Sequence, residues 1–521
     1  MRDGPAGGER RRVRRAVAVP DGPAAAGQAA DRPRHVGRQR PVRRVADVRR
    51  AADPGRQAVR LPPGERAAAP LHRREGHLPG DGEGPLLLRA PRRGRPVTGA
   101  GSRALLLDPP PLEPSPATRL PLEWHRARAD ELRAAAAERG ARAVLLTDPW
   151  NIVHFTGLWA ATTERPLYAL LEADGAPFWF YPRLDRDLVR SWWYGGGAEY
   201  FDYPHVDGQH PNEGTAARGP AVDLWEKALR LCVSRGYGAG SLLVDRPAGG
   251  SLGPLGPLGS IGDVCLRSRM VKTPEELALA RRAYAYFDDV HVFCRDTLLD
   301  GFHDGMTDFE LRSAMIDMAT RRIVPDLGLD GGPHRGVGVS IDLGWVRAGR
   351  VTGYPHPNQF RYSEITRGGT LQASGVIRVG GYGGECYRPF MLAPRTAHME
   401  RLWTVARDSC LLQQDAMRAG VTCGEVAEKI HRFQIDAGVR EYVYHRPAHG
   451  QGPEGHQPPW LALGDDTVLE PGMCLSVEPG LYDPRAGFSV NFSDMFVVQE
   501  SGPALQLSRV PWTTEWCWLD F

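Results

Sequence analysis

Lysine is nearly missing from this 521-residue chain: only Lys227, Lys272 and Lys429 occur, so almost all positive charge is arginine. That bias fits a GC-rich coding sequence and carries little information about partners. Paired cysteines are missing too. The eight, Cys232, Cys265, Cys294, Cys386, Cys410, Cys423, Cys474 and Cys517, are scattered singly with no CxxC spacing. In a chain this long, such scattering points to buried thiols in a reducing compartment. No run approaches the roughly 18 apolar residues of a membrane span, and the N-terminus has no apolar h-region. A cytoplasmic protein with no membrane or nucleic-acid partner is the expectation. What is present suits a folded protein: 42% hydrophobic residues can build a core, and the length allows about three domains.

The net charge of +3 conceals a split. Residues 1–117 are crowded with Arg, Pro, Gly and Ala, as in "GGERRRVRRAVAVPDGPAAAG" and "DPPPLEPSP". Neither a period of 2 nor one of 3.6 is sustained there, so too little apolar surface can be buried to offset ordering entropy. The arginines occupy no common face. A disordered extension, or sequence upstream of the true start, is therefore expected rather than a nucleic-acid arm.

Alternating helix and strand signals follow over 118–262. "WHRARADELRAAAAERG" reads as a helix ended by Gly140, "ARAVLLTDP" as a strand, and "YALLEADGAPFWFYPRL" as two strands around Asp174-Gly175. "VDLWEKALRLCVSRG" and "GSLLVDRP" add a helix and a strand, giving an α/β domain. From 263 to 521 the pattern is α+β. A long helix opens with Thr273 as N-cap, Pro274 as first residue and Glu276 closing a capping box. Helices at 397–420 and 422–438 alternate with strand runs such as "GVIRVGGYGGECYRPFML" and "FSVNFSDMFVVQE".

Side chains capable of chemistry gather in this second domain: His356 in "GYPHPNQ", Glu385 in "YGGECYRP", His449 and His456 in "HGQGPEGHQPP", and Glu478 in "LSVEPGLYDP". The Gly- and Pro-rich run around the two histidines cannot be a helix. A lone glutamate at a strand end is usually a surface charge; several Glu and His at such ends favour a site.

"LEPGMCLSVEPGLYDP" with "HGQGPEGHQPP" resembles the creatinase/aminopeptidase P/prolidase family, with its pita-bread fold, over roughly 122–510. "DPWNIVHFTGL" resembles that family's N-terminal domain, and "LRSRMVKTPEELALARRA" the linker into its catalytic domain. The resemblance implies an α+β fold, a pita-bread catalytic domain preceded by a creatinase-type α/β domain, and a homodimer. Its peptidases hold two divalent metals on two Asp, one His and two Glu. Position by position, His449 matches the ligand His and Glu478 the first ligand Glu. Ser374 and Glu385 stand where the two Asp belong, Ser493 where the last Glu belongs, and Asn491 where a substrate-side Arg belongs. His356 and His456 match the substrate-side histidines.

A neutral hydroxyl cannot bridge cations as a carboxylate does, so loss of these ligands removes at least one metal site. The leading expectation is then a metal-independent, creatinase-like hydrolase acting on a C–N bond of a small molecule. His356, His449, His456, Glu385 and Glu478 would supply acid–base chemistry and substrate orientation. Tyr387, Arg388, Asn491 and Trp460 are the expected substrate-binding residues, although Tyr387 and Arg388 could equally pack within the sheet. No cofactor is expected, with at most one divalent metal (Mn, Zn, Co or Fe) on Glu385, His449 and Glu478. Two alternatives stand beside this reading: an Xaa-Pro aminopeptidase or dipeptidase with a single-metal site, acting on short peptides, and a catalytically inactive binding module. Trp159, Trp460, Thr162, Thr163 and Arg165 lie in segments that, in this fold, approach the active site, one of them from the partner subunit.

Overall fold

The computed structural model describes residues 100–160, 163–201, 223–246, 257–328, 332–357 and 362–520. All of the described residues belong to one compact unit, within Leu88–Phe521.

Order begins earlier than the sequence suggests. After a short helix, α1 (Ala100–Arg103), Leu105, Leu106 and Leu112 pack on the core of the later domain. Arg282 donates from Nη1 to the carbonyls of Ser115, Pro116 and Ala117. The expected boundary at 117 is thus corrected for 100–117. A proline-rich stretch has no period of its own, but its carbonyls meet a donor 165 or more residues away. The remainder of the expected extension, 1–99, lies outside the described residues.

The first domain comprises α2 (Leu122–Glu138), β1 (Ala143–Leu146), α3 (Pro149–Thr156), β2 (Tyr168–Leu171), β3 (Phe178–Pro182), α4 (Arg186–Arg190), β4 (Gly197–Tyr200), α5 (Leu224–Ser234), β5 (Leu242–Val244) and β6 (Gly259–Ser260). Its six strands lie in the order β4-β3-β2-β1-β5-β6. The central β1, AVLL, is buried along its whole length, as expected of a strand covered on both faces. Asp148 caps α3 by accepting from the N–H groups of Trp150 and Asn151.

Asp245 ties this strand-to-helix corner together. It is 4% exposed and accepts from Thr147 N, Thr147 Oγ1, Asp148 N and Asn151 Nδ2 at 2.9–3.0 Å. Asp245→Ala strands those buried donors, and a loss of about 2–4 kcal/mol is expected. An unchanged thermal midpoint of the purified variant would remove Asp245 from this role.

After α6 (Gly262–Met270), α7 (Pro274–Gly301) begins as the sequence predicts: Thr273 and Glu276 form both halves of a capping box. The second domain continues with α8 (Asp308–Ile323), β7 (Ser340–Asp342), β8 (Arg347–Ala348), β9 (Thr370–Val379) and β10 (Tyr382–Leu392). Next come α9 (Ala397–Ala416), α10 (Cys423–Asp436), β11 (Ala448–Gly450), β12 (Gln457–Leu461), β13 (Cys474–Val477), β14 (Leu481–Asp483), β15 (Phe488–Val490) and β16 (Asp494–Val497). β17 (Leu505–Gln506), α11 (Thr514–Cys517) and β18 (Trp518–Leu519) complete it.

Two sheets meet in this domain. One runs β18-β10-β9-β7 with β8 paired to β9; the other runs β12-β11-β13-β16-β17. α7 packs across β9 and β10, and α9 packs on α10 and β15. The helices therefore cover the outer faces, and one large core joins helices and sheets. All eight cysteines are buried and none forms a disulfide. Among the described residues, no helix is long and apolar enough to cross a membrane.

Candidate active site

A cavity of about 590 Å³ opens between the two sheets. Strand alternation decides who faces it. On β9, Ser374, Val376 and Arg378 share one face, and their partners on β10 are Tyr387, Glu385 and Gly383. All of these except Gly383 line the cavity. On the other sheet, His449 of β11 lies opposite Ser476 of β13, and Glu478 follows two residues later.

The acid and imidazole groups converge. His449 is fully buried, and its Nε2 stands 3.4 Å from Glu478 Oε1 and 3.9 Å from Glu385 Oε2. His456 Nε2 lies 3.9 Å from Glu385 Oε1, and its ring stacks on that of His449 with centroids 3.8 Å apart. Ser476 Oγ donates to Glu385 Oε2 at 2.9 Å, and the Ser493 hydroxyl stands 3.1 Å from that of Ser476. Tyr284 fixes the same strand by donating to the Glu385 carbonyl at 2.6 Å.

The two carboxyls have opposite electrostatics. Burial, then the negative charge of Glu478, pushes Glu385 above the usual carboxylate range. Burial also raises Glu478, but the His449 imidazole beside it, with His445 and His456 nearby, outweighs that and holds it low. His449 shows the mirror image: burial lowers it, yet Glu478 and Glu385 raise it overall. His456 is lowered to about 4 by burial and by the neighbouring His449. Separate environments for two carboxylates are a common basis for distinct proton-transfer roles.

The sequence-predicted residues divide clearly. His356, Glu385, Tyr387, His456, Glu478 and Asn491 line the cavity, with His449 packed behind His456 and Glu478. Arg388 does not. It is fully buried on the opposite face of β10, where it pairs with Asp494 at 2.7 Å. The reason is parity: Glu385 and Tyr387 face the cavity, so Arg388 must face away. Trp460 does not line the cavity either; its ring carries the Arg446 guanidinium 4.3 Å from the centroid, and it is Arg446 that reaches the cavity. Trp159 packs over Gly381, at the turn between β9 and β10, where a Cβ would collide with the indole. Thr163 and Arg165 line a separate hollow in the first domain, and Thr162 lies outside the described residues.

Sequence reasoning missed Arg378, Arg347, Arg446, Tyr482 and Ser476. Arg378 was legible, because it shares the parity of Ser374 along one strand. Tyr482 and Ser476 were legible in the same way only once the strand pairing was known. Arg347 comes from the two-residue strand β8 and Arg446 from a loop, and neither carries such a signal.

Two metal ions do not fit these residues. The Ser374 hydroxyl donates to the Trp345 carbonyl, and that of Ser493 is engaged with Ser476. Neither position supplies an anionic oxygen to screen a pair of cations. A single divalent ion does fit. His449 Nε2 is buried and makes no hydrogen bond among the described residues, while ligand atoms of Glu385, His449 and His456 lie within 4.8 Å of one another. This set differs from the expected one in bringing His456 into the group, with Glu478 adjoining.

Comparison with known proteins bears on this arrangement. The sequence profile of metallopeptidase family M24 matches residues 278–500, and that of the creatinase/prolidase N-terminal domain matches 128–195. A probable dipeptidase PepE of Mycobacterium tuberculosis is 27% identical over 384 residues, covering 73% of this chain and 92% of its own. An Xaa-Pro dipeptidase of Lactobacillus delbrueckii subsp. lactis is 26% identical over 385 residues, covering 72% and 94%. Among solved structures, the dipeptidase PepE from Mycobacterium ulcerans matches with TM-score 0.60 and 22% identity over 77% of this chain and 100% of the other. The prolidase from Pyrococcus horikoshii OT3 matches with TM-score 0.55 and 16% identity over 73% and 98%. The shared fold spans both domains described above.

Proposed function

The chain belongs to metallopeptidase family M24, and from that membership we propose that it hydrolyses the C–N bond of a short peptide, as a dipeptidase-type enzyme. The names of the relatives support this peptidase reading over the creatinase-like one that the ligand losses first suggested. One observation carries it: the Nε2 of buried His449 faces the carboxylates of Glu478, at 3.4 Å, and Glu385, at 3.9 Å, at the wall of a cavity.

Glu385 and His449, with His456 or Glu478, would hold one divalent metal, which when bound would acidify a water and polarise the scissile carbonyl. The chain's own groups do the rest. The Gly450 carbonyl, 3.0 Å from His449 Nδ1, keeps that ring oriented with Nε2 towards the two carboxylates. Ser476 fixes one oxygen of Glu385, leaving the other towards His456. Exposed His356 and His456 stand where they can pass a proton to a departing nitrogen. Tyr387 and Asn491 line the walls, and the Asn491 Oδ1, which makes no hydrogen bond among the described residues, can accept from a substrate N–H.

A metal-free variant of the same hydrolysis is the second reading. The engagement of Ser374 and Ser493 with protein groups favours it. Elemental analysis of protein purified without added metal or chelator checks both, and at most one metal per chain is expected. Two per chain would overturn the assignment of Ser374 and Ser493 as non-ligands. No metal, with turnover that survives chelator, would select the metal-free reading. No turnover of any dipeptide or small amide would select a binding module. The proposal includes a homodimer in the cytoplasm, consistent with the family resemblance; light scattering giving twice the 57.2 kDa chain mass checks the first part.

A further inference from the structure

His456 is held only weakly by its own ring. That side chain is 57% exposed, stacks on His449, and stands 3.9 Å from Glu385 Oε1, beyond hydrogen-bond range. Its backbone is not stiff by composition either, since Gly450, Gly452 and Gly455 all lie just before it. A group outside the loop does the holding. Arg269, in the last turn of α6, grips the chain on both sides of His456. Two residues before it, Glu454 Oε2 accepts from Arg269 Nη1 at 2.8 Å. One residue after it, fully buried Gln457 donates from Nε2 to the Arg269 carbonyl at 3.2 Å.

The Arg269 end of this grip is the rigid one. Its side chain is 7% exposed, against 31% for Glu454, so the charge-assisted bond is partly shielded from water. Lys272 Nζ donates to the carbonyls of Arg269 and Met270 and so fixes the end of α6. α6 packs against α2 of the first domain and against β12, the strand that begins at Gln457. Neither Arg269 nor Glu454 lines the cavity, so their effect on chemistry there passes through His456. A reacting group misplaced by about 1 Å can cost roughly a hundredfold in rate.

We propose that Arg269 is a positioning residue: through Glu454 and Gln457 it holds the His456 loop over His449 and Glu385, so that the joint between the two domains sets the geometry of the cavity. This rests on the hydrolase reading for its effect on turnover, but the tether itself is readable without turnover. Hydrogen exchange of the full-length protein, followed by mass spectrometry on the segment 451–457, compares the wild type with Arg269→Gln and with Glu454→Gln, which cuts the same bond from its partly exposed end. Exchange of that segment is expected to be roughly tenfold faster in both variants, with α2 unchanged. With a cleaved dipeptide, kcat is expected to fall roughly thirtyfold to a hundredfold while KM stays within about threefold. In a His456→Ala background the same substitutions are expected to cost nothing further. Unchanged exchange in Glu454→Gln overturns the tether, even where Arg269→Gln does not fold. Faster exchange with wild-type kcat overturns the positioning role, and so does a loss that adds in full to that of His456→Ala. A wild type that turns over no dipeptide sinks the hydrolase reading alone, and exchange then decides the tether by itself.

Discussion

Replacing Glu385 by Gln is expected to lower the turnover of a cleaved dipeptide by roughly a thousandfold while leaving the fold intact. The substitution keeps the shape of the side chain and an oxygen for the Ser476 hydroxyl, which donates to Oε2 at 2.9 Å. It removes the charge that faces His449 and His456, each 3.9 Å away. Whether the group acts on a metal or on a proton, a neutral amide can replace it in neither role. The measurement is kcat against a panel of dipeptides, including Xaa-Pro sequences, with the thermal midpoint of both proteins recorded alongside. A folded Glu385→Gln that retains wild-type kcat would show that the chemistry happens elsewhere. His449→Ala serves as the companion: a similar loss is expected, since its imidazole is the only buried ring between the two carboxylates among the described residues.

Arg388→Met is expected to destabilise the protein by about 3–5 kcal/mol, because it leaves the Asp494 carboxylate buried without a counter-charge. The pair is fully closed from solvent. The same guanidinium donates to the backbone carbonyls of Pro511, Tyr387, Ser493 and Val510 and to the Ser508 hydroxyl. It also lies over the Trp512 ring, 5.2 Å from the centroid. One side chain therefore pins β10 to the strand edge at Asp494 and to the segment that leads into α11. Arg388→Lys preserves the charge but not the fork, and a substantial part of the loss is expected to remain. Chemical denaturation of the soluble variants reads this, and a midpoint for Arg388→Met equal to that of the wild type would rule out the structural role. Any effect on activity follows from the fold, since Arg388 stands behind the cavity wall.

These two residues, three apart on one strand, mark the division between what could be read and what could not. The motifs around His449 and Glu478, the capping box at Thr273 and Glu276, and the alternation of helices and strands over 118–262 were open to inspection. Each depends on local chemistry: turn residues, caps and periodicity act over a few positions. Arg388 was misplaced for want of applying the two-residue period to β10, and Arg378 was overlooked for the same reason on β9. Both were legible in principle. The order of 100–117 was not, because its partners lie in α7 and beside β17, far along the chain.

The sequence by itself determined the two-domain plan, the positions matching a family of hydrolases, and the replacement of carboxylates by Ser374 and Ser493. It did so because family motifs and strand periods are written in consecutive residues. Tertiary structure alone decided that Ser493 relays through Ser476 to Glu385, that His456 rather than a distant acid joins His449, and that Arg378 reaches the loop at Gly455. Those facts depend on how two sheets face each other across a cavity. Hydrogen bonds and charges between them act over a few ångströms in space, with no regard for distance along the chain.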